Sequence, residues 1–398
     1  MANRLNEINT SRVLQKLWFS KGISRVEIAR ALGLGKSTVT NIVSALMRRN
    51  LVKRVSGGRS GPSGGRRPSH LMINDRYGYI LGLEIQTERF TAVAVDVLGQ
   101  VIFTRSEKIA VGRDIVATFF DVLAALGDQM KKMELPLIGI GVGVAGIIDP
   151  HRGVILKSNP LDIHQPFDFY RGIASRQQVP ILVENDAKCC CWGELAFKKT
   201  ERHSSFMFVL GEFRRGRART SSYWGIAVGF GFVINGKVHY GRDFSAGEFQ
   251  SILWEEPNQG QFSVSDEASR AIRRDRKVLR KVLRELCAHI AFLVNSLDLS
   301  CVVIGGEIGA YREDLTETLR QEIRRNWSYE NEVDCAIEFA TLGDRAVAYG
   351  AAGMFLERFF SIPDVVESAE RRTAHKIGAP FGAPRAVPAE RRSAARHP

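Results

Sequence analysis

At 398 residues and 44% apolar content, the chain can bury one large or two moderate cores beyond a small module. No apolar run approaches the ~20 residues needed to span a bilayer, and the first residues carry no signal-peptide pattern, so the expectation is a cytoplasmic protein with no membrane partner. The formal net charge is +13: residues 1–75 hold fourteen Lys or Arg against three Asp or Glu, and residues 371–398 hold seven against one, leaving about four net negative charges on the 295 residues between. A basic module on a mildly acidic body is the footprint of a protein that docks DNA with one part and does something else with the other.

Residues 24–49 predict a helix-turn-helix. Ser24 is a good N-cap, Glu27 stands where a capping box wants it, and Ile23 and Ile28 occupy the two positions of a hydrophobic staple, so a helix should start at Arg25. It should end at Leu32, where Gly33, Leu34 and Gly35 offer a tight turn. In the next helix Val39, Ile42, Val43, Leu46 and Met47 form one apolar stripe, while Ser37, Asn41, Ser44 and Arg48 share another face. With Lys36, Thr38 and Thr40 beside them, these groups suit a major groove: Asn pairs with adenine, hydroxyls meet base edges or phosphates, and the opening amides meet a phosphate.

Leu51–Val55 and His70–Asn74 predict two strands flanking SGGRSGPSGGRRP, which together give a winged helix with a long basic wing. Arg59, Arg66 and Arg67 in that loop are candidates for phosphate or minor-groove contact, with a solvated linker as the alternative. The body then alternates strands and helices. Tyr79–Ile85 and Thr91–Val97 are β-rich around the turn TERF, and a helix follows near 114–133. LIGIGVGVAGIIDP then gives a buried strand ending in a glycine-rich loop; Ile181–Val183, Ser205–Leu210, Gly225–Ile234 and Val302–Ile304 add further strands. Several of them end in glycines or carboxylates, where open α/β sheets keep their ligand sites. Six cysteines, three consecutive at 189–191, show no ligand spacing and predict reduced thiols in or near the core.

Over residues 5–358 the chain resembles the ROK family of bacterial sugar kinases and sugar-responsive repressors, the repressor branch in particular. The resemblance rests on an ordered series: GRRP (65–68), YGYILGLEI, GVGVAGIIDP with SNPL downstream, ENDA followed by WGE, GFVINGK, SAGEF, VIGGE and GDRAVAYGAA, behind a winged helix. It implies an α/β fold in which the N-terminal winged helix-turn-helix of residues 1–74 precedes an actin-like, hexokinase-like two-lobed domain over 75–360. It also implies a carbohydrate in the cleft, contacted by Asn159, Asn185, Asp186 and Glu248. Amides and carboxylates of this kind can grip two sugar hydroxyls at once. Read from the residues alone, Asn185 and Asp186 can equally cap the helix that follows, and Glu248 can be a surface turn residue.

In the family's enzymes the position of Asp186 is the base that deprotonates the attacking hydroxyl. Their phosphate apparatus is altered here. The D-x-G-x-T loop reads Glu84-Ile85-Gln86-Thr87-Glu88, the GTG clamp reads Gly225-Ile226-Ala227, and the GGG ends in Glu307. The expectation is therefore a regulator rather than an enzyme, with no cofactor; a bifunctional sugar kinase and a ligand-independent DNA-binding protein are the alternatives. The family's zinc loop is absent after Gly247-Glu248-Phe249, and no cysteine occurs between 192 and 286, so no metal is expected. Residues 211–224, with four arginines, read as an insertion that is a lid, an anion site or a solvated loop. Residues 361–398 read as a disordered basic tail. The partners implied are double-stranded operator DNA, a small carbohydrate effector and a second copy of the chain, in a homodimer or homotetramer.

Overall fold

The computed structural model describes residues 2–55, 70–110, 114–176, 178–198, 203–215 and 224–361. The wing with Arg59, Arg66 and Arg67, most of the expected insertion and the expected tail lie outside the described residues.

The chain opens with a helix that the sequence reading did not include, α1 (Ala2–Trp18). Then come α2 (Arg25–Leu32) and α3 (Lys36–Arg48), the two helices read from the caps. The Ser24 hydroxyl accepts from the Glu27 amide and the Glu27 carboxylate from the Ser24 amide, so the capping box is complete. Gly33, at φ 64°, closes α2 in the left-handed region that only glycine enters without strain. β1 (Val52–Val55) and β2 (His70–Ile73) pair antiparallel, and Ile23 bridges to Leu71, which ties the strands to the start of α2.

Two five-stranded sheets follow. The first contains β3 (Tyr79–Ile85), β4 (Arg89–Asp96), β5 (Val101–Lys108), β6 (Leu137–Val144) and, after an excursion, β10 (Ile181–Asn185). Its spatial order is β10-β6-β3-β4-β5. The excursion is a small sheet of β7 (Ile147–Asp149), β8 (Val154–Lys157) and β9 (Phe167–Asp168), none of which the sequence reading resolved. The helices α4 (Ile115–Lys131) and α5 (Phe169–Ile173) cover one face of the first sheet, with Phe119, Val122 and Leu126 packed beneath Leu81, Leu83 and Val142. After α6 (Asp186–Phe197), the second sheet is built from β11 (Phe206–Arg215), β12 (Trp224–Ile234), β13 (Lys237–Val238), β14 (Cys301–Gly306) and β15 (Ala336–Phe339), ordered β13-β12-β11-β14-β15. Both sheets are an antiparallel meander extended by two parallel strands on the side of its first strand, so one topology occurs twice and makes the two expected lobes. The helices α7 (Asp266–Ala271), α8 (Arg276–Leu297) and α9 (Arg312–Arg325) complete the second lobe, with α8 and α9 in its core. The last helix among the described residues, α10 (Ala346–Ser361), returns to the first sheet.

The alternating glycines of LIGIGVGV now have a reason. Ile140, Val142 and Val144 face the α4 side, while Gly139, Gly141 and Gly143 face α10, where any Cβ would overlap the Phe355 ring, the Ala351 carbonyl and Val347. Gly82 on β3 meets the Ala348 carbonyl in the same way. The other side of α10 packs on α6, where a Cβ at Gly350 would overlap the Cys189 carbonyl. Cys189, Cys190 and Cys191 are buried and free, as expected of small core residues, and so are Cys287 and Cys301; Cys335 is half-buried. Residues 211–215, expected to open a loop, instead continue β11 and pair with β12 as far as Arg215 with Trp224. The antiparallel pairing with β12 runs without a register shift past the point where the arginines begin, so ladder hydrogen bonding overrides the polar composition. Gly82→Ala forces a Cβ into the Ala348 backbone, and thermal unfolding should report a destabilisation of about 1–3 kcal/mol, whereas a wild-type midpoint would contradict the close approach.

Candidate functional site

The exposed face of α3 carries Lys36, Ser37, Thr40, Asn41 and Arg48, with Thr38 and Ser44 half-buried beside them. Val39, Ile42, Val43 and Leu46 are buried on the opposite face against α1, which fixes the helix's rotation; Met47, expected on the same stripe, is only partly buried. Thr40 bonds back to the Lys36 carbonyl at 2.8 Å, so its hydroxyl is used within the helix. Ser37, Asn41 and Arg48 make no side-chain hydrogen bond to another described residue. A basic group that sequence reading passed over is Arg54, exposed on β1 and close enough to lower the Arg25 guanidinium, whose own burial is the larger cause.

The second site lies between the lobes, where a narrow cleft is lined by the end of β3 and its turn (Glu84 to Thr87), Ala145, Pro160, Leu161, Asp186 and Arg214. Asp186 is the first residue of α6. Its neighbour Asn185 caps that helix, accepting from the Lys188 amide at 3.0 Å and donating to the Gly146 carbonyl at 2.9 Å and to Asp186 Oδ1 at 3.0 Å. The Asn185 amide is therefore committed to holding the glycine loop and the carboxylate in place. Burial raises the Asp186 carboxyl, against the pull of the Ala187 amide, Arg214 and Lys188. Glu248 remains open to solvent, and its carboxyl is raised first by the protein around it and then by the Asp186 charge, which places the two acids in one field. Gly247 brings Glu248 there: at φ 96° it lies so close to the Phe230 carbonyl that a Cβ would overlap it, and its own carbonyl accepts from the Phe230 amide at 2.9 Å. Asn159 is exposed in a turn pinned by Ser158, whose hydroxyl donates to the Ala145 carbonyl at 2.6 Å, and the wall beside it is Pro160 and Leu161.

Two groups escaped the sequence reading because their partners are distant in the chain. Lys188 is buried to 1% and donates to the Phe244 carbonyl at 3.2 Å, putting a fixed positive charge beneath Asp186 and Glu248. Glu184, fully buried, accepts from the Tyr240 hydroxyl at 2.6 Å and from the Asn185 amide at 2.9 Å.

At the β3 end of the cleft the side chains close on one another. Gln86 Nε2 donates to Glu84 at 2.5 Å, Arg89 Nε donates to Gln86 Oε1 at 3.0 Å, and Arg89 Nη2 stands 3.9 Å from Glu212 on the other lobe. Glu307 accepts from the Phe213 amide at 2.8 Å and from Arg273 at 2.5 Å. Burial is the main cause that pushes Glu84 up to about 7 and Glu212 up to about 8; Glu84 and Glu307 add to the shift of Glu212, while the arginines oppose it. Far from the cleft, His203, Cys301 and Glu338 bring potential ligand atoms within 4.8 Å of one another, the one such trio among the described residues. Lys198 already stands between Glu338 at 2.6 Å and Glu194 at 2.8 Å, and His203 bonds the remaining Glu338 oxygen at 3.1 Å, so an internal cation meets that charge.

Because the folded pKa values of Glu84 and Glu212 exceed the ordinary 4.5, the folded state holds protons that the unfolded chain has released. Their contribution to stability is full at acid pH and is lost as pH rises through about 7 and then about 8. Glu84→Gln keeps the size and removes the charge. Its melting temperature should exceed that of the wild type at pH 8.5, and the gap should close only as pH falls below the ordinary 4.5; a gap that does not change with pH would show that this carboxyl titrates normally.

The ROK family model matches residues 80–260 and 253–358. A xylose repressor of Caldicellulosiruptor bescii is 24% identical over 407 residues, covering 90% of this chain and 98% of that protein. A xylose repressor of Bacillus spizizenii is 28% identical over 251 residues, covering 61% of this chain and 60% of that one. Among solved structures, a ROK family transcriptional regulator described as a homologue of an E. coli MLC protein superposes with a TM-score of 0.71 at 18% identity, covering 91% of this chain and 99% of that one. A ROK family glucokinase from Streptomyces griseus, solved with glucose and AMPPNP, gives a TM-score of 0.53 at 21% identity over 70% of this chain and 99% of its own. The match to the family model spans both lobes and the strands that meet at the cleft, and this chain belongs to the ROK family.

Proposed function

We infer that the chain is a sugar-responsive, DNA-binding transcriptional repressor, acting on an operon for carbohydrate uptake or catabolism. One observation carries the reading. A capped helix-turn-helix with an unoccupied polar face is joined to a ROK cleft whose phosphate end is closed by its own side chains. Residues 1–74 read DNA through Asn41, Arg48 and the groups around them, and the lobes over 75–360 take the effector. The names of the relatives make an aldopentose such as D-xylose the first effector to try.

In the cleft, Asp186 and Glu248 accept from neighbouring sugar hydroxyls, Lys188 balances the two carboxylates from below, and Pro160 and Leu161 give an apolar wall for a ring face. Asn185 orients Asp186, and Asn159 meets the sugar from its turn. Phosphoryl transfer is not part of the function. Gln86 stands where an approaching phosphate needs glycine, Glu88 and Glu307 add negative charge, and Arg89 and Arg273 are spent on internal acids. One helix-turn-helix contacts a half-site only, so the operator-bound form is a homodimer or a homotetramer.

Asn41→Ala and Arg48→Ala should each weaken binding to the DNA upstream of the gene by about 1–3 kcal/mol, read by fluorescence anisotropy, with the thermal shift in D-xylose unchanged. Glu248→Ala should do the reverse, abolishing the thermal shift and sparing DNA affinity. Undiminished DNA affinity in both α3 variants would discard the recognition face assigned here. Magnesium-ATP should neither raise the melting temperature nor give ADP release with any aldose that binds. ADP release that disappears in Asp186→Asn would instead make the protein a kinase.

A further inference from the structure

The helices that form the floor of the cleft also form the mounting of the DNA-binding head. α6 begins at Asp186 in the cleft and lies on the second sheet, where a Cβ at Gly231 would meet the Cys191 sulfur and the Ala187 carbonyl. α10 lies on the first sheet through the glycine contacts of Gly82 and Gly141. The two helices touch backbone to backbone at Gly350 and Cys189, and the Phe197 and Tyr349 rings sit 4.0 Å apart at the end of the crossing. This crossing is where the lobes bear on each other. A rotation of one lobe against the other becomes a sliding of α6 along α10.

The far end of α10 runs directly into α1. Phe360 stacks on Trp18 at 4.7 Å, the Ser11 hydroxyl donates to the Ser361 carbonyl at 2.6 Å, and Gln15 Nε2 donates to the Ser361 hydroxyl at 2.8 Å. Tyr77, in the short turn between the wing strand and β3, packs on Phe359 at 5.9 Å. One continuous apolar cluster contains Leu14, Leu17, Val43 and Leu71 of the head together with Ile80, Val95, Phe355 and Phe359 of the first lobe.

We propose that α10 is a coupling rod, clamped to the head at Trp18, Ser11 and Gln15, that transmits the sliding of α6 at the cleft floor to α3. The sliding surface is the α6–α10 crossing, and a displacement there is passed along α10 to its clamp with α1 rather than through the connection at residues 74–78. The proposal rests on the reading that the cleft takes an effector and the head takes DNA, but its mechanical content does not, so it is tested without either ligand.

The measurement is hydrogen exchange by mass spectrometry on the full chain, wild type and Gly350→Ala, which wedges the crossing about half a helix away from the head. Exchange should rise by about fivefold or more in α1 residues 11–18 as well as in α6, while α8 stays at the wild-type rate, since coupling between sites is reciprocal and of this order. If only α6 and α10 respond and residues 11–18 do not, the rod is refuted. Should Gly350→Ala not fold, the reverse perturbation serves. Ser11→Ala with Gln15→Ala removes two hydrogen bonds at the clamp and should raise exchange at residues 186–193, and no change there also refutes the rod. Adding D-xylose to the wild type separates the two ideas: coupling in Gly350→Ala with no D-xylose response upholds the rod and removes xylose from the cleft.

Discussion

The close approach of α10 to three neighbours at once is the constraint on which the rest of the structure depends. A helix can lie against the backbone of a sheet only where the facing side chains have vanished, and glycine at Gly82, Gly139, Gly141 and Gly143 meets that requirement. Toward α6 the same helix presents Gly350 and Gly353, so the surface it offers there is also small. Without these residues the two sheets would stand further apart, and the ends of β3, β6 and β11 would no longer converge on one cleft. The three consecutive cysteines belong to this logic. They fill the crossing as small, polarizable side chains, and burial raises their thiols well away from the reactive thiolate form.

Within the cleft, electrostatics decides what the fold can still accommodate. Glu84 and Glu212 are acids held in low-dielectric surroundings, and each would be costly as an isolated charge. Arg89 and Arg214 reduce that cost, Gln86 contributes a hydrogen bond to Glu84, and burial wins over both, which is why the carboxyls remain raised. Gln86, Arg89 and Glu212 thus form one internal network at the mouth of β3 and β11. Asp186 and Glu248 lie in another field, where burial raises both carboxyls and the Lys188 charge opposes the rise.

The legible parts of the sequence were those specified locally. Ser24, Glu27 and Gly33 are capping signals readable within a few residues, and they placed α2 to the residue. The buried strands β3 and β6 were likewise legible, because apolar residues run through them between clear breaks. What escaped reading is set by distant partners. α1 shows little separation of apolar from polar faces until α10 supplies Phe360 and Ser361 opposite Trp18 and Ser11. β5 is a mostly exposed edge strand, with the polar composition of a loop, and only its ladder with β4 makes it a strand. The same holds in the cleft. The motif ENDA marked Asn185 and Asp186, but the roles of Glu184 and Lys188 depend on Tyr240 and Phe244, more than fifty residues away. A sequence can announce that a carboxylate is present; the charge placed beneath it is a property of the fold.

The way the head is attached bears on how such a protein can respond at all. A DNA-binding module on a flexible tether would search for its operator independently of the body, and closing the cleft would change little beyond the local concentration of heads. Here the connection after β2 is a single short turn, Asp75–Tyr77, capped by Asn74, whose side-chain amide also ties back to the Asn50 carbonyl at 2.8 Å. Large apolar side chains, Trp18 and Phe360 among them, are buried across the joint, and each contributes about 1.5–3 kcal/mol to holding it closed. A joint of that strength does not open within the few kilocalories that a small ligand supplies. Any effect of the cleft on the head must therefore pass through movement of whole bodies, and the surface on which whole bodies can slide in this fold is the one lined by glycine, alanine and cysteine between α6 and α10.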